Sequence, residues 1–98
     1  MRRGMAAARL TDLMLTALRI LHSAELSGRQ KVPQPSVLPG VGGVARQGPI
    51  QALERRGLIV KRGYERGRTP GVKTSPLWSL TEEGRIALAL EDSRRTSP

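Results

Sequence analysis

Eight basic side chains fall between residues 46 and 73: Arg46, Arg55, Arg56, Lys61, Arg62, Arg66, Arg68 and Lys73, with only Glu54 and Glu65 among them. That stretch has a net charge of +6, residues 1–31 add +4, and the part from Thr74 onward is −1. A positive field concentrated on one contiguous segment is the footprint expected for a polyanion partner. Arginine outnumbers lysine fourteen to three. The planar guanidinium fork suits bidentate contact with phosphate and with the edge of guanine.

Other chemistry finds little support in the residue types. No Ser/His/Asp set, metal-ligand spacing or phosphate loop with a following Lys-Ser/Thr is present, and the few acids fall at helix starts or among arginines. The chain is expected not to be an enzyme and to need no metal or cofactor. The string Gly40-Val41-Gly42-Gly43-Val44-Ala45 matches the dinucleotide pattern G-x-G-x-x-A, but no strand precedes it and no acid sits about twenty residues on to hold a ribose. His22 is the one histidine and has no partner set in sequence, so no role falls to it.

With 98 residues and a formal charge of +9, the chain fits one small domain, with a core of Leu, Ile, Val and Ala around Trp78, since Phe is absent and aromatics make up 2%. Cysteine is absent, which excludes disulfides and thiolate metal sites. The opening MRRGMAAARLTDLMLTALRIL is basic and then apolar like a secretory leader, yet Asp12 and Arg19 interrupt it and no stretch reaches membrane-spanning length. A cytoplasmic, nucleoid-associated location with no membrane contact is therefore expected.

Leu10, Leu13, Met14, Ala17, Leu18 and Leu21 keep helical spacing and define the inner stripe of a first helix capped near Thr11; Leu15 lies off that stripe. Residues 28–43, rich in Pro and Gly, read as mostly irregular, with room for one helical turn near Ser36. RQGPIQALERRGLI predicts a second helix with Pro49 at its first position and Gly57 just past its end. With Ile50 and Leu53 inward, Gln51 and Arg55 face outward, Gln47 lies to the side, and Arg46 reaches forward from the preceding turn. Residues 58–64 and 73–80 read as two strands of a hairpin, with Pro76 at an edge or a bulge and the Arg66 and Arg68 loop between them. Thr81 caps a last helix, with Glu82 and Glu83 at its positive end. Ile86 and Leu90 are placed on its inner face and Leu88 away from it. The two surplus leucines, Leu15 and Leu88, suggest a homodimer seam.

The segments ALERRGLIVKR at 52–62 and WSLTEEGR at 78–85 resemble the recognition-helix end and the wing-to-helix junction of winged helix-turn-helix transcriptional regulators, particularly the MarR and PadR-like groups, over roughly residues 44–90. The resemblance implies a mainly α fold with a small β-hairpin, three to four helices plus a two-stranded wing, spanning 10–92, with a disordered basic arm at 1–9 and a disordered tail at 93–98. It implies sequence-specific binding of double-stranded DNA, with Arg46, Gln47, Gln51 and Arg55 toward bases from a helix near 49–56. Arg62, Arg66, Arg68 and Lys73 of the wing near 62–73 would meet the backbone. No small-molecule effector can be inferred. The same charge pattern also suits an RNA- or ribosome-associated basic domain, or a winged helix used for protein contact.

Overall fold

The computed structural model describes residues 10–65 and 75–96. In chain order these form α1 (Asp12–Leu26), β1 (Val32–Pro33), α2 (Gln34–Val37), α3 (Gly43–Arg55), β2 (Ile59–Glu65), β3 (Ser75–Leu80) and α4 (Glu82–Thr96). The strands make one antiparallel sheet in the order β1-β3-β2. This is a winged helix: four helices packed with a small sheet whose central strand β3 and edge strand β2 form the hairpin. The expected fold class holds, and β1 is an additional strand that the Pro- and Gly-rich connector concealed. No helix among the described residues is long and apolar enough to cross a membrane.

The Thr11 hydroxyl caps α1 by accepting the Met14 N–H at 3.2 Å, and the helix ends where Gly28 takes a positive φ of 90°. Its buried face holds Met14, Leu15, Ala17, Leu18 and Leu21. Leu15 is 2% exposed, which corrects its assignment to a dimer seam. The reason is packing on several sides: α1 is contacted by α3, α4 and β3, so its apolar arc is wider than one stripe. Leu13, expected inside, lies at the arc's outer edge and is exposed.

One joint sets the orientation of everything downstream. Gly57 takes φ 75° just past α3, its N–H bonding to the Glu54 carbonyl at 2.9 Å while the Leu58 N–H bonds to the Leu53 carbonyl at 3.0 Å. The Leu58 carbonyl then accepts the Thr81 N–H at 3.1 Å, and the Thr81 hydroxyl donates to the Gly57 carbonyl at 2.7 Å. That same hydroxyl accepts the Gly84 N–H at 3.0 Å and so caps α4 as expected. Gly84 is buried against this turn, and a Cβ there would collide with the Leu58 carbonyl oxygen.

Gly84 also fixes the rotation of α4. With Gly84 inward, positions one and two turns on, Leu88 and Glu91, follow it, whereas Ile86 and Leu90 turn out to solvent. Leu88 is 5% exposed, while Ile86 is 53% and Leu90 62% exposed. Leu88 is thus a core residue and not a seam, and the expected inner face of this helix is reversed. The helix also runs to Thr96, beyond the expected start of the tail, because Arg94 and Arg95 pair with the buried Glu91, at 3.8 and 3.1 Å, and Arg95 reaches Asp12 at 3.2 Å. The hydrogen bond to Glu91, with Asp12 adding to it, raises the pKa of Arg95. Asp12–Arg95, Arg19–Asp92 (2.6 Å) and Glu25–Arg85 (2.7 Å) lie along the antiparallel contact of α1 with α4. Exposed pairs of this kind are worth at most about 1 kcal/mol each, so they set register more than stability.

Two prolines are placed by local chain logic. Pro49 is inside α3 and not at its first position, because the helix already starts at Gly43 behind a Gly42 cap. Its missing N–H falls opposite the carbonyl of exposed Ala45, which water can satisfy. Pro76 lies where β3 runs beyond its two pairings with β1 (Trp78 with Val32, Leu77 with Pro33) and where Arg62 and Gly63 together oppose Leu77 in a bulge. That is the edge-and-bulge setting its missing N–H requires. The arm at 1–9, the loop at 66–74 and the last two residues lie outside the described residues.

Gly84→Ala is expected to force α4 off the Leu58 turn and to lower the unfolding free energy by roughly 1–3 kcal/mol, as overpacking typically does. Urea denaturation reads the change, and an unaltered midpoint would show that the close approach at this joint is dispensable.

Candidate nucleic-acid interface

The polar side of α3 is built by exclusion. Ile50 and Leu53 are fully buried, so the residues a turn apart on the other side, Gln47, Gln51 and Arg55, stand exposed in a row. All three occupy the outward positions expected of them. Arg46 does not. Because α3 begins at Gly43, Arg46 falls within its first turns, and helical side chains lean toward the N-terminus. Its Nη2 donates to the Val41 carbonyl at 2.7 Å, and its Nε is buried without a partner among the described residues. Arg46 therefore braces the turn between α2 and α3 and does not reach outward.

Gln47 and Gln51 open onto a cleft of about 220 Å³ between α3 and the sheet, whose far wall holds Lys61, Pro76 and Trp78. Trp78 is buried, as expected of a core residue, and its Nε1 donates to the Gln34 side-chain oxygen at 3.1 Å, tying α2 to the sheet. Lys61 is the basic group that sequence reasoning counted but did not place. It pairs with Trp78 across the sheet and shares that strand's α3-facing side. Its Nζ lies 5.7 Å from the Trp78 ring and 5.3 Å from the Tyr64 ring, and donates to the Tyr64 hydroxyl at 3.3 Å. Strand alternation from Ile59 and Trp78 was the signal that could have found it.

Arg62, one residue on, belongs to the other face of the sheet and borders a separate cleft with Ser79 and Arg85. The structure thus brings Gln47, Gln51 and Lys61 together, sets Arg55 at the end of the same helix face, and separates Arg62 from them. Arg66, Arg68 and Lys73 lie outside the described residues. Among the described residues, no group of three or more His, Cys, Asp or Glu side chains is placed to hold a metal ion.

No family profile matches the chain, and no curated protein sequence matches it. Among solved structures it is similar to a transcriptional repressor, CouR, bound to a 23-mer DNA duplex, with a TM-score of 0.64 and 26% sequence identity. The match covers 90% of this chain and 56% of that one, so the chain spans a little over half of the repressor's length.

Arg46→Ala would leave the Val41 carbonyl without its charged donor and is expected to lower the unfolding free energy by roughly 1.5–3 kcal/mol, the range for a hydrogen bond to a charged group. If denaturation showed no loss, the bracing role would be wrong.

Proposed function

We propose that the chain is a double-stranded DNA-binding transcriptional regulator of the cytoplasm. The α3 face of Gln47, Gln51 and Arg55 enters the major groove, while the hairpin, with Lys61 at its base and Arg66, Arg68 and Lys73 toward its loop, lies on the adjacent backbone. The observation that supports this best is the shared opening of α3 and the hairpin. Gln47, Gln51 and Glu54 on one side and Lys61 on the other line one cleft, so α3 and the hairpin present polar and charged groups in the same direction. A helix in the groove with a flanking element on phosphate is the usual division between base reading and positioning. Likeness to a repressor bound to a duplex points the same way.

Glutamine is suited to adenine and arginine to guanine in the major groove, so these three residues set the sequence preference. The wing cations act through counterion release and add affinity for any duplex. The protein acts as a homodimer on a two-fold site, the exposed Ile86 and Leu90 of α4 forming the self-association surface in place of the buried Leu15 and Leu88.

Titration of duplex DNA, single-stranded DNA and hairpin RNA at several salt concentrations tests the reading. Tightest binding to a particular duplex is expected; preference for structured RNA, or no nucleic-acid affinity at low salt, would refute it. Arg55→Ala is expected to relax discrimination by about 1–3 kcal/mol at one base pair, whereas Arg66→Ala or Arg68→Ala weakens all duplexes and lowers the salt slope by about one unit. In sedimentation, the double variant Ile86→Glu, Leu90→Glu is expected to be a folded monomer where the parent is a dimer. An unchanged mass would remove the α4 surface from the account.

A further inference from the structure

A cleft of about 550 Å³ lies over the opposite face of the sheet from α3. Four parts of the fold converge on it: Glu25 near the end of α1, Gln30 and Lys31 leading into β1, Arg62 and Ser79 on the sheet, and Arg85 in the first turns of α4. Lys31 and Arg62 have no acidic partner among the described residues, while Arg85 is bound to Glu25 at 2.7 Å. Three cations and one acid leave a net of two positive charges around a single open cavity. The rim is fixed: the Ser79 hydroxyl donates to the Gln30 carbonyl, which ties β3 to the segment bearing Lys31, and the Glu25 pair holds the Arg85 side chain across the α1–α4 contact. Ser79 and Arg85 are therefore held at the rim before any ligand arrives, which reduces the ordering cost of binding.

We propose that this cleft is a binding site for a small multivalent anion bearing carboxylate or phosphate groups. Its volume lies within the range typical of small-ligand pockets. The Arg62 guanidinium offers the forked pair of N–H donors that matches a carboxylate or phosphoryl edge, the Lys31 ammonium supplies the second charge, and Arg85 contributes the N–H groups not used by Glu25. Arg62 and Lys61 are neighbours in sequence on opposite faces of one strand, so this site and the α3 cleft are separate, and the proposal does not depend on the DNA reading.

The experiment uses the whole chain, titrated with citrate or with inorganic pyrophosphate in isothermal calorimetry at constant ionic strength maintained with sodium chloride. Saturable binding at one site per chain is expected. Arg62→Ala and Lys31→Ala are each expected to weaken it about tenfold, the scale of one charge-assisted contact, whereas Arg55→Ala and Lys61→Ala leave it unchanged. Glu25→Gln, which removes the one acid facing the ligand, is expected to tighten it. Backbone amide NMR with either probe should shift the Gln30, Lys31, Arg62 and Ser79 signals in all variants that fold. No saturable binding of either probe would overturn the proposal, as would equal losses in Arg55→Ala. Shifts of these four signals by duplex DNA but not by the small anions would also overturn it, and would make the cleft a second backbone-contact surface.

Discussion

Everything in this domain is oriented by the backbone contact between the turn after α3 and the start of α4. Two peptide carbonyls, of Gly57 and Leu58, accept from one residue, Thr81, and the helix behind that residue is admitted only because position 84 lacks a side chain. The contact is short-range and directional, so it transmits geometry in a way that apolar burial cannot. It sets where the hairpin closes, because Thr81 ends β3, and which way α4 is rolled, because Gly84 must face the turn. The core then fills around that frame: Leu18, Val37, Leu38, Ile50, Leu53 and Ile59 are almost wholly buried. A core of small aliphatic side chains has low shape specificity of its own. The polar joint supplies the uniqueness that a core with a single tryptophan lacks.

The sequence was most legible where a local rule has one solution. Thr81 as a cap, Gly57 past the end of α3, Pro76 at an edge and bulge, and Trp78 in the core all follow from side-chain chemistry within a few residues. It was least legible where tertiary contact chooses among equivalent helix faces. On α4 the apolar residues Ile86, Leu88 and Leu90 permit two inner faces, and the choice is made by Gly84 meeting a carbonyl that lies far off in sequence. On α1, contact with several elements enlarged the buried arc to include Leu15. The connector misled for a different reason. The single helical turn expected near Ser36 is there as α2, but the two-residue strand β1 forms only once Val32 has somewhere to be buried, and no local pattern shows that it does.

The candidate interface divides in the same way. Gln47, Gln51 and Arg55 were identifiable because helical period alone decides which side is wet. Arg46 was misplaced because the start of α3 was set at Pro49, six residues late, which left its side chain apparently free to reach outward when it is folded back on the Val41 carbonyl. The cationic residues of the hairpin could be counted from composition but not assigned to a face without knowing the pairing partner of each. Lys61 and Arg62, alike in charge and adjacent in the chain, end up in unrelated surroundings: one over two aromatic rings beside α3, the other across the sheet with Arg85.

The doubled step at Arg62 and Gly63 has a consequence for how this ribbon tolerates change in length. Because the extra residue is absorbed opposite Leu77, Lys61 and Tyr64 share a side despite an odd separation, and Pro76 and Trp78 stay in phase with them. Excising the glycine would restore ordinary alternation and return the tyrosine to the same side, two positions from the lysine instead of three. The bulge therefore absorbs one residue of length without changing the direction in which Tyr64 and Pro76 project relative to Lys61 and Trp78.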